Sequence, residues 1–228
     1  MAVGGVEPAP RPHLSGRLAG WLSFVLIFAT LNYAARFLAP PDESDSEVAY
    51  QWGASIAALA QYAVVFGIVL LFARGHRELL ALRRPRSWTA VLGISTAILF
   101  LMLVLSAALS PITNPEEEQG LVPEHWNSHR VAQFALFAFV VAVIGPIVEE
   151  LMFRGVGFGL LEPYGRLTAI LVVGVAFGLV HGLLEGLAVI TAFGIGLAYL
   201  RARTGSVIPC MILHGCFNAA ALAFGVTT

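Results

Sequence analysis

The chain has 228 residues, of which 58% are hydrophobic and 12% charged, with a formal net charge of -1 and a mean hydropathy of +0.82. A soluble domain carries about 25% charged residues, so this composition points to a membrane-embedded protein with no separate soluble domain among its residues. The near-zero charge gives no reason to expect nucleic acid as a partner.

The first thirteen or so residues, MAVGGVEPAPRPH, read as a short Pro-rich tail. The apolar run that follows is too long for the core of a signal peptide and is expected to stay as a span. Seven apolar segments then follow, near residues 18–38, 54–72, 88–109, 131–161, 167–184, 187–200 and 207–226. All are expected to be helices, because lipid tolerates no open sheet edge. The fourth runs on past Arg154, and Gly145-Pro146 within it is a place for a kink that opens the backbone near Glu149. The expected fold class is therefore all-α, a polytopic bundle of about seven to eight transmembrane helices around a polar cavity inside the membrane.

The connections differ in charge. Arg74, His76, Arg77, Arg83, Arg84 and Arg86 lie between the second and third segments, and Arg201 and Arg203 follow the sixth. Asp42, Glu43, Asp45 and Glu47 follow the first segment, and Glu116, Glu117, Glu118 and Glu124 the third. The Lys/Arg distribution places the N-terminus, with Arg11 and Arg17, in the cytoplasm and the C-terminus outside. The loop from Ser110 to Arg130 holds His125, Trp126 and His129. It reads either as an entrance flap or extra metal site, or as a solvated loop with an interfacial tryptophan. Cys210 and Cys216 are six residues apart on one helix and cannot pair, so they read as inert buried thiols.

The chemistry concentrates in Gly145-Pro146-Ile147-Val148-Glu149-Glu150-Leu151-Met152-Phe153-Arg154. A charge at mid-bilayer costs roughly 2.5–3.5 kcal/mol on insertion scales, so three ionisable groups here need a purpose. Glu150 and Arg154 are four apart on one helical face, with the acid on the N-terminal side, the arrangement of an ion pair. Glu149 is rotated about 100° away and is left to project into a cavity as a general base. Taken alone, the same residues also suit a buried ion-pair cluster that locks two helices together.

Among six histidines, His181 and His214 fall within the apolar segments. Phe177 stands one turn before His181, and Asn218 one turn after His214 on the same face. A helix bundle can gather Glu149, His181, His214 and Asn218 around one buried point, and Gly174, Gly178, Gly182, Gly186, Gly194 and Gly196 allow close packing of the fifth and sixth segments. Two chemistries suit the set. In one, Glu149 and His181 take a proton from water while His214 and Asn218 donate to an oxyanion. In the other, Glu149, His181 and His214 hold a zinc ion that activates water, although no HExxH sequence is present. The cofactor is then either a divalent metal or none.

The ordered motifs EExxxR (Glu149, Glu150, Arg154), FxxxH (Phe177, His181) and HxxxN (His214, Asn218) resemble the CPBP intramembrane proteases. That family includes the type II CAAX prenyl endopeptidases and the bacteriocin-processing or immunity proteins also called Abi. The resemblance covers about residues 131–226. It divides the chain into 1–130, a tail and three helices, and 131–228, a catalytic bundle, within one integral membrane domain. It implies cleavage of a peptide bond in a membrane-anchored or lipidated protein or peptide, with Glu149, His181, His214 and Asn218 catalytic and Glu150, Arg154 and Phe177 in support. A scaffold or immunity protein of the same fold without catalysis, or a proton or ion transporter using Glu and His as a relay, are the alternatives. The Ala/Gly/Arg-rich, Lys-free composition suggests a bacterial plasma membrane.

Overall fold

A computed structural model describes residues 12–38, 43–113 and 126–225, and the described residues contain helix and no strand. Seven main helices follow one another in these stretches: α1 (Pro12–Leu38), α2 (Trp52–Ala73) and α3 (Trp88–Leu109), then α4 (Val131–Tyr164), α5 (Arg166–Leu179), α6 (Leu187–Thr204) and α7 (Ile208–Gly225). Six of them are long and apolar enough to cross a membrane. The exception, α5, has 14 residues. At 1.5 Å per residue that is about 21 Å, short of a hydrocarbon core of about 30 Å. The chain is a polytopic all-α bundle, with six full-length spans and one short helix among the described residues.

The bundle is organised around α4, 34 residues without a break. Two π-helical turns, Val140–Ile144 and Leu151–Gly157, bracket the α-helical stretch Gly145–Glu150. Pro146 accounts for the first. Lacking an N–H, it can donate neither to Ala142, four residues back, nor to Val141, five back. Helix α7 closes over the gap: Asn218 Nδ2 donates to the Val141 carbonyl at 2.9 Å. Gly215 lies so close that a Cβ there would come within 2.6 Å of the Ala142 carbonyl oxygen. The opening expected at Gly145-Pro146 thus takes the form of a widened helical turn sealed by a neighbour.

Around this axis, α2, α5 and α7 pack on α4, while α6 packs mainly on α5 and α3 mainly on α6. Helix α1 is pinned to the C-terminal half of α4 by Trp21, whose indole N–H donates to the Met152 carbonyl at 3.1 Å. The glycine-rich pair α5 and α6 packs closely: a Cβ on Gly194 would lie 2.7 Å from the Gly174 carbonyl oxygen, and one on Gly178 would collide with Thr191.

The fifth helix stops earlier than the apolar run suggests. It ends at Leu179 rather than Leu184, so His181 sits in the turn that follows and not within a span. Gly182 adopts φ +64, which ends the helix, and its Cα abuts the Asn32 backbone of α1 so closely that a Cβ would not fit. In the loop before α4, Trp126 packs edge-on against Phe134 at 5.5 Å and Arg130 pairs with Glu47 at 2.7 Å. His125 lies outside the described residues, and with it that part of the flap or metal expectation. Cys210 is buried but Cys216 is exposed, and both are free thiols.

Candidate active site

Glu150 and Arg154 lie at the centre of the bundle with no exposed side-chain surface, and Arg154 Nη1 donates to Glu150 Oε1 at 2.8 Å. The guanidinium also donates through Nη2 to the Gly194 carbonyl at 2.8 Å and lies over the Phe177 ring at 4.2 Å. One cation therefore ties α4 to both α5 and α6. An unpaired charge at such a site would cost several kcal/mol, which explains why the acid and base come as a set one turn apart.

Glu150 has a second partner. His214 Nδ1 lies 2.9 Å from the same Oε1, and since a carboxylate only accepts, Nδ1 carries the hydrogen. That fixes the ring: Nε2 is turned towards Glu149, 3.9 Å from its Oε2. His181 is fixed in the same way by a different acceptor. Its Nδ1 donates to the Phe177 carbonyl, 2.6 Å away, leaving Nε2 as the free nitrogen. Phe177 stands between the two imidazoles, with ring centroids 4.6 Å from His181 and 5.5 Å from His214. The FxxxH spacing thus supplies His181 with both its hydrogen-bond acceptor and its ring contact.

Glu149 is partly exposed where Glu150 is not. It lines a cavity of about 200 Å³ together with His181, Met152 and Phe153 from the C-terminal half of the chain and Phe28 and Tyr62 from the N-terminal half. Neither His214 nor Asn218 belongs to its lining. The Tyr62 hydroxyl donates to Glu149 Oε1 at 2.8 Å. Three side chains of α1 hold the turn that carries His181: Asn32 donates to the Val180 carbonyl, Tyr33 to that of Leu183 and Arg36 to that of Gly182.

The free Nε2 atoms of two histidines beside a carboxylate are the donor types zinc uses, with the second ring nitrogen held by an acceptor as metal-bound imidazoles require. Their placement does not fit: among the described residues no three His, Cys, Asp or Glu side chains come together closely enough to hold a metal ion. Glu149, His181 and His214 as arranged therefore do not form a three-ligand metal set.

The structure therefore brings Glu149, His181 and His214 together, with Glu150, Arg154 and Phe177 beneath them. Asn218 spends one of its two amide hydrogens on Val141, which leaves the other for a further acceptor. Sequence reasoning did not find Tyr62, Asn32, Tyr33 or Arg36. Tyr62 had a signal in principle, being a phenol beside a glutamine in an otherwise apolar span.

Comparison with known proteins finds likenesses in the C-terminal half of the chain. Residues 131–220 match the Rce1-like family, described as type II CAAX prenyl endopeptidase Rce1-like. The likeness is one of that segment, about two fifths of the chain. The Bacillus subtilis (strain 168) protein named "Putative membrane peptidase YdiL" is 38% identical over 84 residues, 36% of this chain and 34% of that protein. The similarity thus spans about a third of the curated relative. No solved structure matches the chain significantly. Every motif residue from Glu149 to Asn218 falls within the matched segment, whereas Tyr62 and the α1 residues that hold the His181 turn fall outside it.

Proposed function

We propose that the chain is an intramembrane endopeptidase that hydrolyses a peptide bond of a membrane-associated protein or peptide. One observation carries this reading: the Glu149 carboxylate and the His181 imidazole share one cavity, while the adjacent Glu150 is neutralised by Arg154 behind it. A structural ion-pair cluster would need Glu150 and Arg154 alone.

In the proposed reaction, Glu149 takes a proton from a water in the cavity, with His181 Nε2 as the second acceptor. The resulting hydroxide adds to the peptide carbonyl carbon, and the carbonyl oxygen becomes an oxyanion. His214 in its protonated form offers an Nε2–H beside Glu149 to that oxyanion, its other N–H resting on Glu150, and Asn218 offers its second amide hydrogen. The C–N bond then breaks, and the proton held by Glu149 passes to the departing amine, leaving a carboxylic acid and an amine.

The finer substrate class, a lipidated or otherwise membrane-anchored terminus, rests on the family and on the apolar lining of the cavity by Phe24, Phe28 and Val65. The arginine distribution supports a cell-membrane location with the N-terminus in the cytoplasm. The decisive experiment compares wild type, Glu149→Ala and His181→Ala in liposomes for processing of membrane-anchored peptides, with thermal unfolding in detergent to establish that each variant is folded. Loss of product formation in both folded variants is expected. Unchanged processing would overturn the reading, and an unimpaired biological role despite lost processing would indicate a scaffold.

A further inference from the structure

The helix α2 lies outside the segment that matches the family, yet it places two consecutive polar side chains, Gln61 and Tyr62, on the cavity that holds Glu149 and His181. Gln61 is near the midpoint of a 22-residue span of mean hydropathy 2.4. It is exposed, and its side chain makes no hydrogen bond to any described residue. An unpartnered primary amide at that depth is costly in lipid. It becomes useful where an extended peptide enters the membrane, because a carboxamide both donates and accepts and so can pair with a backbone C=O and N–H together. A peptide drawn into hydrocarbon carries those unsatisfied groups with it.

Tyr62 differs in every respect. It is partly buried, its hydroxyl donates to Glu149 Oε1, and the room it occupies is reserved for it on α4. A Cβ on Gly145, one turn before Glu149, would lie 2.7 Å from the Tyr62 oxygen. The phenol occupies one carboxylate oxygen and so holds Oε2 on the side of His214.

We propose that α2 completes the active site with a division of labour: Gln61 binds the backbone of the scissile peptide, and Tyr62 is a positioning residue that orients Glu149. The proposal rests on the endopeptidase reading above and assigns roles to residues that the family match does not reach.

The test is steady-state hydrolysis in liposomes of a fluorogenic prenylated CAAX peptide, paralleled by mass spectrometry of membrane peptides from the expression host. Both are run on wild type, Glu149→Ala, Gln61→Leu, Gln61→Ala, Tyr62→Phe and Gly145→Ala, with thermal unfolding in detergent as the folding check. Both Gln61 variants should raise KM about tenfold, the worth of one or two neutral hydrogen bonds, and leave kcat within about twofold. Tyr62→Phe should lower kcat about tenfold with KM nearly unchanged. Gly145→Ala suits a helix better than glycine, so it should fold, yet it should reproduce the kcat loss because its methyl displaces the phenol.

A KM unchanged in both Gln61 variants, or a kcat unchanged in Tyr62→Phe, overturns the proposal while the endopeptidase reading stands. If Gly145→Ala retains full kcat, the positioning role falls. If Glu149→Ala yields the same products as wild type from both substrate sources, the endopeptidase reading falls and this proposal with it.

Discussion

Within the membrane-length windows of α1 and α3, 11% of residues are buried inside the protein, while in α6 the share is 44%. The difference divides the molecule into two regions with different duties. The C-terminal helices enclose the polar groups Glu150, Arg154 and His214, all fully or nearly fully buried, and must satisfy them internally. The first three helices turn most of their apolar surface outward, as Leu26, Phe100 and Leu103 show with two thirds of their surface exposed. Helices α1 and α2 reach the site from outside: Trp21 bonds to Met152, Asn32 and its neighbours hold the His181 turn, Tyr62 bonds to Glu149, and Phe24, Phe28, Gln61 and Val65 line the cavity. The buried polar cluster is housed in one region and steadied by the other. That explains how a recognisable family segment of 131–220 can sit within a chain whose other helices carry none of its motifs.

Several substitutions would break or sharpen this contrast. The largest effect should come from Glu150→Ala, which strands a buried guanidinium and frees His214 to rotate. A loss of about 3–5 kcal/mol is expected, read as a collapse of thermal unfolding temperature in detergent together with loss of activity. Glu149→Ala, one residue away, should leave that unfolding temperature nearly unchanged and lower kcat by roughly 10²–10⁴. Equal destabilisation by the two would erase the distinction between brace and base. Gly182→Ala should cost about 1–2 kcal/mol for its left-handed backbone, plus whatever displacement Asn32 must make. Its activity should fall further than that stability loss accounts for, because the turn carries His181. Leu101→Ala on the outward face of α3 (51% exposed) should change stability by no more than about 0.5 kcal/mol and activity not at all. A large effect there would show that α3 is covered by a partner rather than by lipid.

Much of the bundle was legible in one dimension. Long apolar runs in lipid have little alternative to helix, so the seven segments reappear with shifts of a few residues. A spacing of four on a helix brings Glu150 to Arg154 whatever surrounds them, and the same spacing brings Phe177 to His181. The end of α5 was not legible, because hydropathy continues through Leu183 and Leu184 while the backbone turns at Gly182. Nor was the bond from Asn218 to Val141, which follows from a proline on one helix and an amide on another.

The adjacent glutamates Glu149 and Glu150 show where the division lies. Local periodicity determined that Glu150 faces Arg154 and that Glu149 does not, since both facts follow from 100° per residue along one helix. Only the tertiary structure decided what each carboxylate meets across the bundle. Glu150 accepts from His214 on α7, 64 residues on, and Glu149 accepts from Tyr62 on α2, 87 residues back. Which helices become neighbours depends on shape, on glycines that admit a close approach and on buried polar groups that must find partners, and those are properties of the packed bundle rather than of any one segment.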